Sequence, residues 1–267
     1  MKVVATGTTG TIGKHLGQRV SPVNLDFGEP NFQFNGEELN PGDSFLHLAA
    51  VVGPTAVEKD TRYSRQVNVE AVIRLGSEFL NSSGEKFVYV STSHVYSSSN
   101  LPIEESFETE PKNLYAVQKL EAEDILSEMF VRHPERLSIV RVFSVLDWDV
   151  DQFTLGGGVR KLKEENSDYI LNNCDDVRDF LTPKVIADAL VRICKESSLF
   201  GIVNLCSGRG LSVGEAARQM LGPEASTKAS HRMVPGQSAT PFIVGNNSKL
   251  TSALPDLDLR WVPSTLT

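Results

Sequence analysis

The sequence predicts an α/β protein built on a doubly wound parallel sheet, with a smaller second lobe. Short apolar runs alternate with helix-length segments along most of the 267 residues, which is the pattern of repeated β-α-β units. A glycine-rich segment directly follows the first apolar run, and serine and threonine residues follow a later one. Such units place parallel strands in one sheet, with right-handed crossovers and helices on both faces.

The elements are predicted in order from these runs. Residues 3–6 form a buried strand, and residues 11–20 form a helix because Ile12 and Leu16 lie four positions apart. The order becomes irregular between residues 146 and 176, where Gly156-Gly157-Gly158 indicates a loop or a close backbone approach. Further strands are predicted at residues 23–27, 44–50, 86–90, 137–142 and 201–206, and further helices at residues 60–81, 113–130, 183–195 and 213–221.

The loop after the first strand has a glycine at every third position. Glycines allow the backbone to approach a pyrophosphate, which would lie against the N–H groups and the positive dipole end of the following helix. The loop therefore predicts a Rossmann-like dinucleotide site, and an ordinary strand–helix turn is the alternative. The cofactor contacts expected here are Gly7, Thr9, Gly10, Thr11, Ile12 and Gly13.

The second predicted strand carries Asp26 near its end, 19 residues after Gly7. An acidic residue at this distance accepts hydrogen bonds from the adenosine ribose and would repel a 2′-phosphate. NAD is therefore favoured as the cofactor, although nearby Arg19 leaves NADP open. A solvated turn aspartate is the alternative interpretation of Asp26.

Tyr115 and Lys119 lie four positions apart, on one face of the predicted helix 113–130. A tyrosine normally titrates at about pH 10, but a neighbouring ammonium and an oxidised nicotinamide stabilise its phenolate. Such a tyrosine can act as a general acid or base near neutral pH. Pairs at this spacing also arise by chance.

Hydroxyl side chains follow the predicted strand 86–90. Open α/β sheets bind ligands at the carboxyl ends of their strands. One of these hydroxyls is therefore expected to hydrogen-bond the substrate oxygen whose proton Tyr115 moves. A serine-rich turn is the alternative.

Taken together, these motifs resemble those of the extended short-chain dehydrogenases/reductases, in the NAD(P)-dependent sugar-nucleotide epimerase/dehydratase family. The resemblance runs almost end to end, and its motifs occur in the family's order. They are the glycine loop, His47-Leu48-Ala49-Ala50, Val67-Asn68-Val69, Ser91-Thr92, Tyr115 with Lys119, Arg141, Val177-Arg178-Asp179-Phe180-Leu181, Val203-Asn204-Leu205-Cys206-Ser207-Gly208 and Asn247-Ser248-Lys249-Leu250.

The resemblance implies a role for each matching position. Tyr115 corresponds to the catalytic acid/base, and Lys119 to the residue that binds the nicotinamide ribose and lowers the tyrosine pKa. Thr92 corresponds to the catalytic hydroxyl residue, with Ser91 as the neighbouring choice if the register is off by one. Arg178 corresponds to an arginine that binds the substrate diphosphate; an ion pair with Asp175, Asp176 or Asp179 is the alternative. Further cofactor contacts are implied at Leu48, Ala49, Ala50 and Asn68, and further substrate contacts at Ser93, His94 and Ser144.

Departures from the family pattern narrow the class of reaction that is expected of this chain. Sugar-nucleotide dehydratases of this family have an Asp-Glu pair after the catalytic threonine, whereas this chain has Ser93 and His94, so dehydration is not expected. Ser144 stands where the family often has asparagine. The compact chain also has features of the dTDP-4-dehydrorhamnose reductase branch, including the segment Thr55-Ala56-Val57-Glu58-Lys59.

The expected function is that of a sugar-nucleotide epimerase, which works by hydride transfer at a secondary alcohol or ketone carbon. A sugar-nucleotide ketoreductase is the alternative within the same chemistry. A non-catalytic dinucleotide-binding sensor or scaffold is the alternative of another class, because fold does not imply function.

The composition limits the classes of binding partner and the cellular compartment that are expected. A net charge of −8 argues against nucleic acid, because phosphate binding relies on Lys and Arg. No apolar run reaches the roughly 18 residues of a membrane span, so no membrane partner is expected. Three cysteines without C-x-x-C spacing fit a reduced cytoplasm. The five histidines have no metal-ligand spacing, and no metal site is predicted.

The predicted domain organisation divides the chain in two. A dinucleotide-binding Rossmann domain is expected at residues 1–143 plus 184–205, and a substrate-binding lobe at residues 144–183 plus 206–267. The resemblance also implies a homodimer, formed by the long helices near residues 60–81 and 113–130 of two copies.

Overall fold

The computed structural model describes residues 1–27, 39–150, 154–164 and 167–263. Over these residues the main sheet has six parallel strands, and the predicted doubly wound α/β fold is confirmed. The order in which successive strands are added to the sheet reverses at β1, which has β2 on one side and β3 on the other. In spatial order the strands are β2 (Ser21–Pro22), β1 (Val3–Thr6), β3 (Ser44–His47), β4 (Lys86–Thr92), β5 (Leu137–Val142) and β8 (Gly201–Leu205).

Side-chain caps explain where two long helices begin. The Asn113 side chain accepts a hydrogen bond from Ala116 N at 2.9 Å at the start of α4, and the Thr182 side chain accepts one from Val185 N at 3.3 Å at the start of α6. Each cap satisfies a backbone donor that the first helical turn leaves free. The helices of the described residues are α1 (Pro54–Lys59), α2 (Thr61–Arg65), α3 (Ala71–Leu80), α4 (Leu114–Met129), α5 (Leu155–Lys163), α6 (Pro183–Lys195), α7 (Val213–Ala229) and α8 (Ser248–Ala253).

Helices cover both faces of the main sheet, so its strands are apolar on both sides. In β1, Val3 and Ala5 face a core shared with Ile186 and Leu190 of α6. Val4 faces the opposite core, which contains residues of α3 and α4. This two-sided burial explains why the strands appear in the sequence as continuous apolar runs rather than alternating ones.

A smaller sheet lies beyond the carboxyl end of β5. Its order is β10 (Phe242–Ile243), β7 (Val177–Leu181) and β6 (Ser144–Val145), and β9 (Gly210–Ser212) pairs antiparallel with β7. Trp148, Phe180 and Met220 belong to its separate hydrophobic cluster, which also contains residues of α5 and α7. Only Phe143 separates β6 from β5, so the chain passes directly from the main sheet into the small one.

The prediction of a helix at residues 11–20 is wrong. Two short 3-10 turns, Gly13–His15 and Gly17–Arg19, take its place. Gly17 has φ +57°, a left-handed conformation that ends a helix. Leu16 is nevertheless buried, so the apolar spacing marked a buried face correctly.

Several predicted boundaries also shift. The second strand is Ser21–Pro22 rather than residues 23–27, although Val23 N still donates to Ala5 O at 2.8 Å. The strand predicted at 44–50 ends at His47, and that predicted at 86–90 continues to Thr92. The helix predicted at 60–81 is divided into α2, a π-helical turn at Gln66–Glu70 and α3.

The three consecutive glycines lie in a helix, so the loop interpretation is wrong and the close-approach interpretation is confirmed. All three belong to α5. A Cβ on Gly156 would lie 2.3 Å from Asp147 O, and one on Gly158 would lie 2.4 Å from the Tyr169 hydroxyl. The helix α7 extends beyond the predicted residue 221 to Ala229, across a break at Gly222, where φ is +74°.

Within the described ranges, no helix is long and apolar enough to cross a bilayer. The same residues contain no group of three or more His, Cys, Asp or Glu side chains arranged to hold a metal ion.

Candidate functional site

The predicted site residues gather at the carboxyl edge of the main sheet. Gly7 follows β1, Leu48 follows β3, Ser93 follows β4 and Ser144 lies just beyond β5. The strands are parallel and aligned, so these chain segments leave the sheet at one edge. Ligands of open α/β sheets bind at this edge, where the strand order reverses, and here the reversal falls between β1 and β3.

Two glycines of the first loop are required by the fold itself. Gly7 has φ +68°, and a Cβ on it would lie 2.6 Å from Ala49 N. A Cβ on Gly13 would lie 2.0 Å from Gly7 O and 2.6 Å from Thr8 Cα. The loop is therefore folded tightly on itself and packed against Ala49, which brings the first two predicted cofactor segments together.

Gly10 is different, because the protein does not require its small size. A Cβ on Gly10 would meet only Gly7 O, at an ordinary 3.4 Å, and the residue is exposed. Close approach of a ligand from outside explains a glycine at such a position. The loop thus fits a dinucleotide pyrophosphate through backbone contact. The 3-10 turn that replaces the expected helix supplies only a short dipole.

The structure also describes the residues predicted to choose between NAD and NADP. Asp26 is exposed beyond β2. Arg19 is held by the protein: its Nε donates to Leu16 O at 3.0 Å, Nη2 donates to His15 O, and Nη1 pairs with Asp188 of α6. These contacts tie the guanidinium to the protein.

Asn68 is fully buried in the π-helical turn, where it holds the loop after β3. Its Oδ1 accepts from Val51 N at 2.9 Å, and its Nδ2 donates to Val51 O at 3.0 Å and to Gln118 Oε1 at 2.9 Å. The amide thus joins the segment after Ala50 to α4. Sequence reasoning assigned Asn68 to the cofactor and did not find these partners.

Lys119 reaches the end of β4 from α4. Its Nζ donates to Val90 O at 2.6 Å and lies 4.1 Å from the centroid of the Tyr89 ring. Tyr115 is one helical turn earlier and half-buried. The helix therefore presents the phenol and the ammonium at the strand end that carries Thr92.

Burial dominates the protonation of this pair. It lowers the pKa of Lys119 to about 7, against the opposing effect of Glu123. Burial also raises the pKa of Tyr115 to about 12. Desolvation of the phenolate is the cause of this rise, and a lowering of the tyrosine pKa by Lys119 together with a bound nicotinamide stays a prediction. With this pKa, Tyr115 is a protonated phenol at neutral pH.

The hydroxyl residues after β4 have distinct environments. Thr92 Oγ1 accepts from His94 N at 3.2 Å, which leaves its own proton available to a ligand. Ser91 is buried and donates to Glu123. This arrangement favours Thr92 over Ser91 as the catalytic hydroxyl. Ser93 is buried, whereas His94 is exposed at the sheet edge.

Arg178 approaches the same edge from the small sheet. Its Nη2 donates to Asp176 Oδ2 at 2.9 Å and to Ser238 Oγ at 3.4 Å. The predicted alternative, an ion pair with a neighbouring aspartate, is therefore present, with Asp176 as the partner.

A buried charged cluster next to the site was missed by sequence reasoning. Glu123 and Arg141 form an ion pair at 2.6 Å, and both are at most 3% exposed. The signal in the sequence is an arginine within the mostly apolar strand Leu137–Val142. Arginine is almost never fully buried without a partner, so an arginine at this position indicates a buried carboxylate nearby.

Comparison with known proteins adds a family match. The model of the NAD dependent epimerase/dehydratase family matches residues 32–206. The glycine loop lies before the matched segment, whereas Asn68, Thr92, Tyr115, Lys119 and Arg178 lie within it.

Relatives of known activity are similar over most of the chain. GDP-6-deoxy-D-mannose reductase from Pseudomonas aeruginosa is 24% identical over 80% of this chain and 77% of its own length. UDP-glucose 4-epimerase from Azospirillum brasilense is 29% identical over 67% of this chain and 57% of its own. The structure of RMD from Pseudomonas aeruginosa with NADPH superposes with a TM-score of 0.78 at 18% identity, over 97% of this chain and 94% of that one. At that identity the structural match supports the fold alone.

Proposed function

Because the chain belongs to the NAD-dependent epimerase/dehydratase family, we propose that it is a sugar-nucleotide epimerase that works by hydride transfer at a secondary alcohol or ketone carbon. The catalytic residues in this proposal are Thr92, Tyr115 and Lys119. The substrate is a nucleotide sugar, in keeping with the relatives named GDP-6-deoxy-D-mannose reductase and UDP-glucose 4-epimerase. The cofactor is NAD, with NADP as the alternative.

One observation carries the proposal. Lys119 is anchored at 2.6 Å to Val90 O, two residues before Thr92, while Tyr115 lies one turn earlier on the same helix. A hydroxyl, a phenol and an ammonium are thus held at the ligand-binding edge of the sheet by backbone elements. This is the set of groups that moves a proton on and off a carbinol oxygen.

Each of the three catalytic residues has a separate role in that proton transfer. Thr92 would donate a hydrogen bond to the substrate oxygen and fix it in line with Tyr115. Tyr115 would take the proton when the alcohol is oxidised and return it when the ketone is reduced. Lys119, when protonated, would stabilise the phenolate formed in between. The raised pKa of Tyr115 suits the donating step, which both the epimerase and the ketoreductase require.

The cofactor would be held along the β1–β3 edge. Gly10 offers an open backbone approach, and Leu48, Ala49 and Ala50, which follow β3, would contact the cofactor from the neighbouring segment. The nicotinamide, when bound, supplies the acceptor and donor of the hydride. Arg178 of the small sheet would bind the substrate diphosphate with its paired donors.

Removal of the phenol tests the proposal. We expect Tyr115→Phe to lower turnover by about 10²-fold or more, because general acid–base catalysis is lost, while the dissociation constant of NADH stays nearly unchanged. The matched control is Tyr63→Phe, since Tyr63 is exposed on α2. Turnover of a panel of UDP-, GDP- and dTDP-sugars and NADH fluorescence titration give the two readouts. Undiminished turnover by Tyr115→Phe would contradict the assignment.

The same assays separate the three candidate functions. Interconversion of sugars without net consumption of NADH identifies an epimerase. Stoichiometric oxidation of NADH identifies a ketoreductase. Binding of NADH with no turnover of any sugar nucleotide identifies a sensor or scaffold.

We also propose that the protein is a homodimer, that it is cytoplasmic, and that its chain divides into a dinucleotide-binding domain and a substrate-binding lobe. The exposed Val117 on α4 supports a homodimer formed through the long helices near residues 60–81 and 113–130. The free, buried cysteines Cys174, Cys194 and Cys206 support a reducing cytoplasm. The separate hydrophobic cluster around the small sheet supports the division into residues 1–143 plus 184–205 and residues 144–183 plus 206–267, of which 28–38, 151–153, 165–166 and 264–267 lie outside the described residues.

A further inference from the structure

The buried carboxylate of Glu123 connects three elements of the sheet edge. It belongs to α4, one turn after Lys119. Arg141 of β5 donates to it through Nε at 3.0 Å and Nη2 at 2.6 Å, and Ser91 of β4 donates to its Oε1. The cluster therefore joins the proposed catalytic helix to the two strands beneath it.

Strand register explains how the cluster is assembled. Ser91 and Arg141 are direct neighbours in the β4–β5 ladder, so both side chains rise from the same face of the sheet to one carboxylate. The Arg141 guanidinium also lies 4.5 Å from the centroid of the Tyr96 ring, and the Tyr96 hydroxyl donates to Asn204 Oδ1 of β8 at 2.7 Å. Glu123 is thus the centre of a fully enclosed network that reaches the edge of the sheet.

A buried ion pair is not needed for stability alone. Replacing such a pair by apolar residues of similar volume is often neutral or stabilising. Three charge-assisted hydrogen bonds on one carboxylate do, however, fix geometry closely. The residue that follows Ser91 is Thr92, and the helix that carries Glu123 also carries Tyr115 and Lys119.

For the reaction proposed above, on which this inference rests, we propose that Glu123 is a positioning residue. Held by Arg141 and Ser91, it sets the position of Thr92 relative to the Tyr115–Lys119 face of α4, and it provides the carboxylate that faces Lys119 along the helix. It does not touch the substrate or the cofactor.

The charges around Lys119 are consistent with this role. His47 on β3 and Tyr89 on β4 face the ammonium from the sheet. Tyr115 and Glu123 are its neighbours one turn before and one turn after on α4. Burial disfavours the cationic form of His47, and Glu123, ion-paired with Arg141, is the anionic group of this set. It acts to raise the pKa of Lys119, in opposition to burial.

A matched pair of substitutions on α4 tests the inference. Glu123→Gln removes the buried charge, and Glu121→Gln removes the charge of the exposed carboxylate that Arg65 holds at 2.6 Å. We expect Glu123→Gln to lower kcat about tenfold or more, as misplacement of a catalytic group does, with the dissociation constant of NADH changed by less than about threefold. The alkaline limb of the pH profile should move to lower pH, because Lys119 loses its proton more readily. Glu121→Gln should leave both unchanged.

A second variant separates positioning from folding. Glu123→Gln leaves Arg141 buried without its partner, which can prevent folding. The double variant Glu123→Gln with Arg141→Met leaves no unpaired buried charge. It should fold and still show the lowered kcat and the shifted alkaline limb; wild-type values in this variant would overturn the inference.

A readout without turnover distinguishes failure of the inference from failure of the proposed function. NMR titration of the Lys119 side chain should show a lower pKa in Glu123→Gln and an unchanged one in Glu121→Gln. If Tyr115→Phe is inactive but the Glu123 variants match Glu121→Gln in kcat and titration, only this inference fails. If Tyr115→Phe is fully active, the proposed function fails whatever Glu123 does.

Discussion

At the scale of single residues, His47 shows how burial fixes a charge state next to the site. It is 1% exposed, its Nδ1 shares a hydrogen bond with Thr6 Oγ1 at 2.8 Å, and it stacks on Tyr89. Within the described part of the chain, its Nε2 has no hydrogen-bond partner. Burial, reinforced by the charge of Lys119, lowers the pKa of His47 to about 3, so the ring is neutral in the folded protein.

This neutral histidine gives stability a defined pH dependence. Between pH 3 and 6.5 the unfolded chain binds a proton at His47 that the folded chain excludes, so stability is lost as the pH falls. We expect the wild type to lose about 2.5 kcal/mol at this residue between pH 7 and pH 4.5. His47→Asn should not show this loss. Urea unfolding at the two pH values measures the difference.

His133 provides the control, because it is exposed beyond α4. His133→Asn should keep the wild-type pH dependence. An equal pH dependence in wild type and His47→Asn would show that the folded protein accommodates a protonated His47.

The relation between two site residues was predictable where their spacing in the sequence alone determines which side chains lie together. Tyr115 and Lys119 share a helix face because four positions make one turn. The Ser91–Glu123–Arg141 cluster was not predictable in the same way, because it depends on which residues of β4 and β5 become neighbours. The raised pKa of Tyr115 also depends on burial, which a local spacing does not reveal.

At the scale of elements, the glycine loop contains two glycines with separate purposes. Gly13 is enclosed by the backbone of Gly7 and Thr8, whereas Gly10 faces outward. We expect Gly13→Ala to lower the free energy of unfolding by about 1–3 kcal/mol, as overpacking does. Gly10→Ala should change it by less than about 0.5 kcal/mol but weaken dinucleotide binding, because the new methyl group occupies the side from which the pyrophosphate approaches.

Thermal unfolding and NADH fluorescence titration on both variants measure these effects. Each variant serves as the control for the other, since the substitution and the loop are the same. Wild-type NADH affinity in Gly10→Ala would place the pyrophosphate elsewhere.

The elements were predictable to the extent that burial follows local pattern. The core strands were found because burial on both faces leaves continuous apolar runs. The helix at residues 11–20 was not, since Ile12 and Leu16 satisfy a helical spacing while the left-handed Gly17 interrupts the backbone. The helical glycines of α5 were misassigned because their small size serves packing against Asp147 and Tyr169, contacts that lie far from any local signal.

At the scale of the whole molecule, Asp179 joins the two sheets. Its carboxylate accepts from Ser207 N at 2.7 Å, Ser207 Oγ at 2.6 Å and Gly208 N at 2.9 Å, all from the loop after β8. Gly245 N, just after β10, donates to it at 3.4 Å. Burial raises the pKa of this carboxyl to about 6, although these donors oppose the shift.

We expect Asp179→Asn to destabilise the joint between the sheets. An amide offers one acceptor oxygen instead of two, so buried N–H groups lose their partner at a cost of about 1–3 kcal/mol. Thermal unfolding should show a lower Tm, with β7 and its neighbours first to lose protection in hydrogen exchange. Asp258→Asn is the control, because Asp258 is exposed and bonded to Arg260. Equal Tm values for the two variants would mean that the joint does not depend on this carboxylate.

The order of strands in the main sheet also has a consequence for synthesis on the ribosome. β1, β3, β4 and β5 can add side by side as they emerge, but β8 starts at Gly201, 59 residues after β5 ends at Val142. At the usual pace of translation this delay is roughly 3 to 12 s. Throughout it, the nascent chain presents the free edge of β5, with unpaired peptide groups that a neighbouring chain could capture. That half-finished edge is the feature that a holding chaperone would have to protect.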